Sequence, residues 1–378
     1  MKTPAPLLTS AAAAALLPSL ASATVHHLFV GTFSGANLYA VEFDDQTLSL
    51  SLAANISAHA AHAWIAFSHD KRALYAVEDG GWTSYRVDNA TSLTHTATLP
   101  LSGANCSSDR SIYVVGAAHP PYAVYGDPFG DCANVLSVDA ATGALADVAQ
   151  NVSYTTGTSG VHGMALSPDG RFLYSADDSG NAVWTHAVDA ATGLLTEVES
   201  SAAPVEGANP RHAAVHPDGG YLWVVLEEAN ELAQYALDKE TGKPVFDNVT
   251  YPLIPESELA NNTANYWSDD VAVAASGHFL WASARSRDET APGYISGYQL
   301  SPTTGAIVKQ LFLTNTTTSG GSANAVTPAP FGDEFVALTD TQEEFVQVWR
   351  YVNGSKAEVV ARLDLQDGGC CANAVWLD

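Results

Sequence analysis

The stretch 209–227, NPRHAAVHPDGGYLWVVLE, holds the residues whose types and spacing most directly suggest chemistry. Arg211 stands at the start of one apolar segment, and Glu227 directly follows a second apolar segment at residues 221–226. A guanidinium is always charged and planar, and it can bind a carboxylate through two parallel hydrogen bonds. We therefore expect Arg211 to bind either Glu227, in a structural ion pair, or the carboxylate of a small anionic ligand.

The residues between them predict how these two side chains meet. Residues 216–219 read His-Pro-Asp-Gly, which is typical of a tight turn between two strands. Side chains two apart share one face of a strand, so a hairpin closed by this turn brings Arg211 and Glu227 together at its open end. The other polar residues of the stretch are expected to be scaffolding or solvated: His212, His216, Asp218 and Glu228.

The same strand–turn–strand pattern recurs along the chain. Seven units follow one another at a spacing of about 45 residues, and each offers four short apolar strands. The clearest unit occupies residues 161–198, and the least regular occupies about 102–154 and carries an insert at 120–131. Almost no segment has the 3.6-residue apolar period of an amphipathic helix. These features predict an all-β fold, a seven-bladed β-propeller.

The two ends of the chain predict how the ring closes. Residues 373–376, Asn-Ala-Val-Trp, look like the innermost strand of an eighth unit, whereas the first unit, from residue 27, lacks an innermost strand. We expect the C-terminal strand to join the N-terminal blade. This closure would remove the exposed sheet edges of an open ring.

The composition of the 378-residue chain excludes several classes of partner. Hydrophobic residues make up 47% of it, which is enough for a large core. Lys and Arg total 15 against 41 Asp and Glu, for a formal net charge of −26. Such a surface repels phosphate backbones and anionic membranes, so we expect no nucleic acid and no membrane as partner. Salt screens charges beyond about 8 Å, so a local Arg/His cluster can still bind an anion.

The N-terminus predicts export from the cell. Lys2 precedes an apolar run at residues 7–20, and residues 21–23, Ala-Ser-Ala, have the small-residue pattern that signal peptidase recognises. We therefore expect residues 1–23 to be a signal peptide and residues 24–378 to form the single propeller domain of a secreted glycoprotein. Asn-x-Ser/Thr triplets, which accept N-linked glycans, begin at eight positions: Asn55, Asn89, Asn105, Asn151, Asn248, Asn261, Asn315 and Asn353.

The four cysteines are expected to form disulfides in an oxidising compartment. Two arrangements are open. The adjacent Cys370 and Cys371 could pair with Cys106 and Cys132, or they could form a vicinal bridge with each other. No CxxC pair occurs, so no zinc site is predicted.

Blocks of sequence spread over the chain carry a family resemblance. They read PPYAVY at 120–125, GVHGM at 160–164, YSAD at 174–177, WTH at 184–186, NPR at 209–211, KQLFL at 309–313, SGG at 319–321 and NAVW at 373–376. In this order, from about residue 27 to 378, the chain resembles the fungal carboxy-cis,cis-muconate cyclase (3-carboxymuconate lactonizing) family of lactonase-type propellers. Part of the pattern also looks like the wider 6-phosphogluconolactonase-like group.

The resemblance implies a function. It implies an intramolecular lyase, or cycloisomerase, that converts 3-carboxy-cis,cis-muconate to a carboxymuconolactone without a cofactor or a metal. The partner would be a small-molecule polycarboxylate or lactone, and the oligomeric state is left open. The alternatives are a secreted lactonase that hydrolyses a sugar or aryl-derived lactone, and a non-catalytic propeller that binds glycan or protein. An Arg/His/Glu cluster in one channel favours the enzymes, whereas scattered residues with exposed aromatics favour the binding module.

The resemblance also implies four catalytic residues: His162 in GVHGM, Arg211 in NPRH, Glu227 in VVLEE and Arg285 in WASAR. The two arginines would bind substrate carboxylates and stabilise enolate-like charge. His162 would deliver a proton. Glu227 would orient Arg211 or His162, or it would act as the acid if burial raised its pKa.

Three positions qualify this assignment. On sequence alone His162 reads as a hydrogen-bonded structural residue, and Arg285 reads as part of a loop with Arg287 and Asp288. The family pattern Ser-Gly-Gly-His-Ser-Asn-Ala has Ser322 in place of its histidine. This substitution bears on the chemistry of the site, and the export signal, absent from the family, bears on the substrate.

Overall fold

The computed structural model describes residues 24–102, 106, 108–154, 157–352, 354, 356–366 and 369–378. The predicted signal peptide at 1–23 and the sequon residues Asn105 and Asn353 lie outside the described residues. The fold is a ring of seven four-stranded antiparallel sheets. The predicted seven-bladed β-propeller is therefore confirmed.

Each blade is a meander whose strands run from the centre of the ring outward. Blade 1 contains β28 (Ala374–Trp376), β1 (Val25–Val30), β2 (Asn37–Asp44) and β3 (Ser49–Ser57); blade 2 contains β4 (Ile65–Phe67), β5 (Ala73–Glu78), β6 (Gly81–Asn89) and β7 (Ser92–Pro100); blade 3 contains β8 (Ser111–Gly116), β9 (Val124–Pro128), β10 (Cys132–Val138) and β11 (Leu145–Ser153); blade 4 contains β12 (Val161–Leu166), β13 (Phe172–Asp177), β14 (Ala182–Val188) and β15 (Leu195–Ala202).

The remaining blades repeat the arrangement. Blade 5 contains β16 (Pro210–Val215), β17 (Tyr221–Leu226), β18 (Glu231–Leu237) and β19 (Pro244–Pro252); blade 6 contains β20 (Tyr266–Val273), β21 (Phe279–Ser286), β22 (Tyr294–Leu300) and β23 (Ile307–Asn315); blade 7 contains β24 (Val326–Pro328), β25 (Phe335–Asp340), β26 (Phe345–Val352) and β27 (Lys356–Asp364). A short helix, α1 (Glu256–Asn261), and a 3-10 turn (Thr263–Asn265) connect blades 5 and 6.

The C-terminal strand closes the ring, as the sequence predicts. Strand β28 pairs antiparallel with β1, with Leu28 opposite Trp376 and Val30 opposite Ala374. Trp376 Nε1 also donates a hydrogen bond to the Thr327 carbonyl of blade 7. Because the first blade contains strands from both ends of the chain, the ring has no open sheet edge between its first and last blades.

Apolar side chains pack between neighbouring blades and hold the ring together. The largest of them include Trp82, Trp184, Trp223 and Trp281, each 0–1% exposed. Continuous burial along the second strand of a blade, as in β13 and β21, follows from sheets covered on both faces. The blades thus form one rigid frame around the centre.

Pro-Asp-Gly, at residues 168–170 and 217–219, forms the turn between the first and second strands of blades 4 and 5, and the structure shows why. In the turn between β16 and β17, Gly219 has a φ of +73°. Only glycine adopts that left-handed conformation without strain. Asp218 accepts a hydrogen bond from the Gly220 amide and lies 2.7 Å from His216 Nδ1. His216 and Asp218 are therefore turn scaffolding, as predicted.

Two details of the sequence prediction change. The predicted insert at 120–131 holds β9, because the third blade uses this segment as a regular second strand. The second change is a choice between the two arrangements left open for the cysteines: they form Cys106–Cys132 and the vicinal bridge Cys370–Cys371. Among the described residues, no helix has the length and apolar character needed to cross a membrane.

Candidate active site

The innermost strands converge on a central cavity of about 300 Å³. All four residues predicted for the site, His162, Arg211, Glu227 and Arg285, line it. They come from three consecutive blades, 4, 5 and 6, and are brought together by the packing of these blades around the centre. The other walls are largely aromatic and include Phe33, Trp64, Phe129 and Trp267.

Bulges in the innermost strands direct these side chains into the cavity. The pairing register shifts between Val161 and Gly163 in β12, between Pro210 and Ala213 in β16, and between Ser268 and Val271 in β20. A bulge sets two residues opposite one, so it bends the strand and re-aims a side chain. The residues at these shifts are His162, Arg211, His212, Asp269 and Asp270.

Two carboxylates each lie between the same two arginines. Arg211 Nη1 donates to Glu227 Oε2 at 2.7 Å, and Arg211 Nε donates to Asp269 Oδ1 at 2.9 Å. Arg285 Nη2 donates to the same Glu227 oxygen at 3.1 Å, and Arg285 Nε lies 3.6 Å from Asp269 Oδ1. The four formal charges cancel, and the network fixes both guanidinium groups.

Burial and neighbouring charges decide the ionisation of this network. Burial opposes the charge on Arg211, but Glu227 and Asp269 outweigh it and raise the pKa of Arg211. Burial also opposes ionisation of Asp269, and Arg285 and Arg211 overcome it, so its pKa is lowered. Burial and the nearby Arg211 lower the pKa of Arg285 to about 10. All three groups are therefore charged at neutral pH.

The expectation that Arg285 lies in a loop is wrong. It lies within β21 and is 1% exposed. Its guanidinium carbon stands 3.8 Å from the centroid of the Trp267 ring, a cation–π arrangement. Its Nη1 donates to the carbonyl oxygen of Ser322 at 2.8 Å. Ser322 itself lines the cavity, so the one departure from the family pattern falls on the cavity wall.

His162 occupies an environment that disfavours its charged form. Burial lowers its pKa well below the usual value, and Arg211, His212 and Arg285 lower it further. Its Nδ1 is buried and has no hydrogen-bond partner among the described residues. Burial beside two guanidinium groups disfavours the imidazolium form, which argues against the proton delivery that the resemblance implies for His162.

Four further cavity residues escaped the sequence prediction: Arg110, His212, Trp267 and Asp269. His212 was taken for scaffolding, but the bulge in β16 places it on the cavity wall beside Arg211. Asp269 has a sequence signal, since two consecutive aspartates at 269–270 in an otherwise apolar strand need partners.

Arg110 stands at the mouth of the cavity. Together with Phe33 it lines both the cavity and two adjoining surface clefts. Its side chain is exposed, and it forms no ion pair with a carboxylate in the part of the chain that the structure describes. Arg110 therefore places a guanidinium group at the mouth that no described residue holds in an ion pair, and Glu78, Asp79 and Asp109 line the adjoining cleft with it.

These features define what the cavity can do chemically. Rigid aromatic walls accommodate a flat conjugated molecule, and fixed guanidinium N–H groups and two imidazoles can bind carboxylates and move a proton. Within the described ranges, no three His, Cys, Asp or Glu side chains are grouped to hold a metal ion. The absence of a cofactor and of a metal stays a prediction.

Comparison with known proteins identifies relatives along almost the whole chain. The chain is 37% identical over 370 residues to the carboxy-cis,cis-muconate cyclase of Neurospora crassa, an alignment that covers 94% of this chain and 100% of the relative. It is 29% identical over 380 residues to muconate cycloisomerase 1 of Cutaneotrichosporon cutaneum, which covers 94% of this chain and 99% of the relative.

Solved structures and a family profile agree on the architecture. The periplasmic gluconolactonase PpgL of Pseudomonas aeruginosa superposes with a TM-score of 0.73 at 19% identity, covering 93% of this chain and 99% of that one, which shows the shared fold. Residues 27–322 match the family described as "Lactonase, 7-bladed beta-propeller". The chain therefore belongs to the lactonase family of seven-bladed β-propellers.

Proposed function

We propose that the protein is a cycloisomerase that closes 3-carboxy-cis,cis-muconate to a carboxymuconolactone without a cofactor. The observation that carries this proposal is the convergence of His162, Arg211, Glu227 and Arg285 on one cavity. The near-full-length similarity to a carboxy-cis,cis-muconate cyclase supports it. The non-catalytic binding module is disfavoured, because the Arg, His and Glu residues are clustered rather than scattered.

The reaction requires one new C–O bond and one new C–H bond. An oxygen of one carboxylate attacks a carbon of the conjugated C=C bond, and the displaced π electrons form an enolate-like charge on the carboxylate conjugated to it. A proton from the protein then bonds to the adjacent carbon. The trianionic substrate becomes a dianionic lactone, so one proton is taken up from solvent in each turnover at neutral pH.

The arginine network suits the charge that develops in this reaction. Arg211 and Arg285 are held in place by Glu227 and Asp269, so their remaining N–H groups need not reorganise when charge moves onto the substrate. Because these four charges cancel, the inner site offers oriented donors rather than a net positive field. Arg110, which is not held in an ion pair within the described residues, supplies a guanidinium group for another carboxylate of the substrate.

Hydrolysis of a lactone is the second candidate, and the family description favours it. A hydrolase needs a group that activates water. The cavity carboxylates of Glu227 and Asp269 are both engaged by arginines, and the arginines lower the pKa of Asp269, so neither carboxylate is positioned to activate a water molecule. The engaged carboxylates therefore favour cyclisation over hydrolysis.

We also propose that the protein is secreted and N-glycosylated. The N-terminal sequence and the two disulfides support this localisation. All six sequon asparagines in the described part of the chain are exposed: Asn55, Asn89, Asn151, Asn248, Asn261 and Asn315. Four of them lie on β3, β11, β19 and β23, the outermost strands of their blades, where glycans leave the cavity open.

The activity is tested with residues 24–378 expressed in a secreting host. Addition of 3-carboxy-cis,cis-muconate should give a loss of conjugated-diene absorbance. Arg211→Ala should lower the turnover rate by a factor of about 10² or more. Arg171→Ala is the matched control, since Arg171 is an exposed arginine paired with Asp169 on a turn outside the cavity. No turnover by the folded wild type would exclude the cyclase, and a panel of lactones would then test hydrolysis.

A further inference from the structure

We propose that His212, held by Asp270, is the residue that delivers the proton to the substrate carbon, and that His162 acts as a neutral hydrogen-bonding group. This inference rests on the proposed cyclase function. It reassigns the proton donor from the histidine that the family resemblance implies to the histidine beside Arg211.

The position of His212 meets the requirements of a proton donor. It lines the cavity, and the residue is 2% exposed. Its Nδ1 lies 3.0 Å from Asp270 Oδ1, an ion-pairing distance. Both ring nitrogens are buried and have no hydrogen-bond partner among the described residues, so Nδ1 contacts Asp270 at an ion-pairing distance without a hydrogen bond, and Nε2 has no partner. A buried imidazole nitrogen without a partner, in the wall of a binding cavity, is free to interact with a ligand.

Asp270 is fixed by the backbone around it. Its Oδ1 accepts a hydrogen bond from the Val271 amide at 2.8 Å, and its Oδ2 accepts one from the Val326 amide of blade 7 at 3.0 Å. A carboxylate held next to an imidazole orients the ring. Asp270 therefore serves as the positioning residue of this pair.

Packing holds the His212 ring in one orientation. The ring centroid lies 4.8 Å from that of Trp64 and 5.5 Å from that of Tyr113, both across the channel from β16. On the blade 4 side, a Cβ at Gly163 would lie 2.5 Å from His212 Cδ2, so only glycine leaves room for the ring. A ring confined in this way presents its free nitrogen in one direction.

The two histidines differ in the charges that face them. The centroids of the His162 and His212 rings are 4.9 Å apart, so a positive charge on one opposes a positive charge on the other. His162 faces Arg211 and Arg285 and has no carboxylate within ion-pairing distance among the described residues. His212 faces the carboxylate of Asp270 directly, and that of Asp269 also acts on it. Besides these groups, the phenol of Tyr113 faces His212.

Because of this difference, the proton that is transferred to the substrate carbon is assigned to His212. In the reaction the N–H bond of the His212 imidazolium breaks, and the π electron pair of the substrate forms the new C–H bond. The neutral imidazole then recovers a proton from solvent once the lactone leaves, which accounts for the proton consumed in each turnover. The neutral imidazole of His162 donates a hydrogen bond from its N–H to a substrate carboxylate without changing its charge.

Steady-state kinetics of three glutamine variants test the assignment. His212→Gln should lower kcat by about 10²–10⁴ with a smaller change in KM, the range expected for loss of a general acid. His162→Gln should mainly raise KM. His216→Gln is the matched control, because His216 is also paired with an aspartate, at 2.7 Å, but lies in a turn outside the cavity; it should retain the wild-type kcat.

Two further measurements separate proton delivery from a structural role. Added imidazole should partly restore kcat to His212→Ala, since the truncated side chain leaves room for it beside Gly163. Asp270→Asn should lower kcat with little change in KM, because the His212 ring loses the carboxylate that positions it, and this variant decides the question if the His212 variants do not fold.

The outcomes distinguish this inference from the function on which it rests. Turnover by the wild type, with His212→Gln within tenfold of it and His162→Gln reduced a hundredfold, overturns the inference and leaves the cyclase function intact. A wild-type kcat in Asp270→Asn also overturns it. No turnover by the wild type overturns both.

Discussion

Arg211 Nη1 donates to Glu227 Oε2 across 2.7 Å, and both side chains are only 11% exposed. The pair closes the open end of the β16–β17 hairpin, where strand alternation and the His-Pro-Asp-Gly turn predict it. The structure shows that it is more than a simple ion pair, because the same Glu227 oxygen also accepts from Arg285 at 3.1 Å. A single carboxylate oxygen thereby couples blade 5 to blade 6 at the cavity.

Glu227→Gln should therefore reduce both stability and activity. The substitution keeps the shape of the side chain but removes its negative charge. The two buried guanidinium groups on either side of it then repel each other. We expect the free energy of unfolding in urea to fall by about 3 kcal/mol, as for other buried pairs that lose one partner.

Glu228→Gln provides the control for this prediction. Glu228 is the next residue and pairs with Arg287, but both side chains are about 40% exposed. Exposed pairs contribute about 0–1 kcal/mol, so this variant should unfold almost as the wild type does. Equal destabilisation of the two variants would contradict the role assigned to the buried network.

The fold could be predicted from the sequence because its signals are local and repeated. Each blade has its own turn sequence and apolar strands, and the C-terminal strand was recognisable because the first unit lacked one. Those signals give the order of the strands in each sheet. Because each sheet must bury both of its faces against neighbouring sheets, few arrangements of the seven sheets other than a ring are left.

The site could be predicted only in part, because its geometry depends on bulges. Arg211 and Glu227 follow from hairpin alternation, but a register shift in β16 puts His212 on the cavity wall too. Strand alternation alone directs two consecutive residues to opposite faces. Arg285 was misplaced because the neighbouring charges suggested a loop, whereas β21 continues to Ser286. Arg110 has no local signal at all, since its role arises from ring closure.

The secreted protein should carry N-linked glycans on its outer rim. Peptide-N-glycosidase should reduce its apparent mass, and mapping should find glycans among the exposed sequons such as Asn55 and Asn315. Because neither lines the cavity, enzymatic deglycosylation should leave kcat and KM unchanged. A protein made without its first 23 residues and retained in the cytoplasm would serve as the unglycosylated control. A secreted protein without any glycan would contradict the proposed modification.

Asp178 should make stability depend on pH in a direction opposite to that of an ion-paired aspartate. Burial, with repulsion from Glu227, raises the pKa of Asp178 to about 7, against 3.8 for an ordinary aspartate. Between these values the folded protein keeps a proton that the unfolded chain has lost. The contribution of Asp178 to the free energy of unfolding therefore falls as pH rises through this interval and is constant above it.

Asp178→Asn removes this contribution. The free energy of unfolding of the variant minus that of the wild type should rise between pH 4.5 and 7, by up to about 1.4 kcal/mol per pH unit. Urea unfolding at several pH values measures this difference. Other buried groups also make stability depend on pH; one example is His186, whose pKa burial lowers to about 4. Their contributions are the same in both proteins and cancel in the difference. A difference that is flat or falls with pH would contradict the prediction.

Arg110 should determine how strongly a polycarboxylate binds. It is exposed at the cavity mouth, whereas Arg211 and Arg285 are neutralised by Glu227 and Asp269. Arg110→Ala should raise KM for 3-carboxy-cis,cis-muconate about tenfold or more, since a hydrogen bond to a charged group contributes about 1.5–3 kcal/mol. The kcat should change little, because Arg110 lies at the mouth rather than among the proton-transfer groups.

The dependence of KM on salt gives a second test of Arg110. The KM of the wild type should rise with salt, and the variant should lose most of this dependence because screening acts on exposed charges. Arg171→Ala, which removes an exposed arginine outside the cavity, should change neither constant. If Arg110→Ala lowers kcat and leaves KM and its salt dependence unchanged, Arg110 does not bind the substrate carboxylate, and the inner arginines must hold every carboxylate of the substrate.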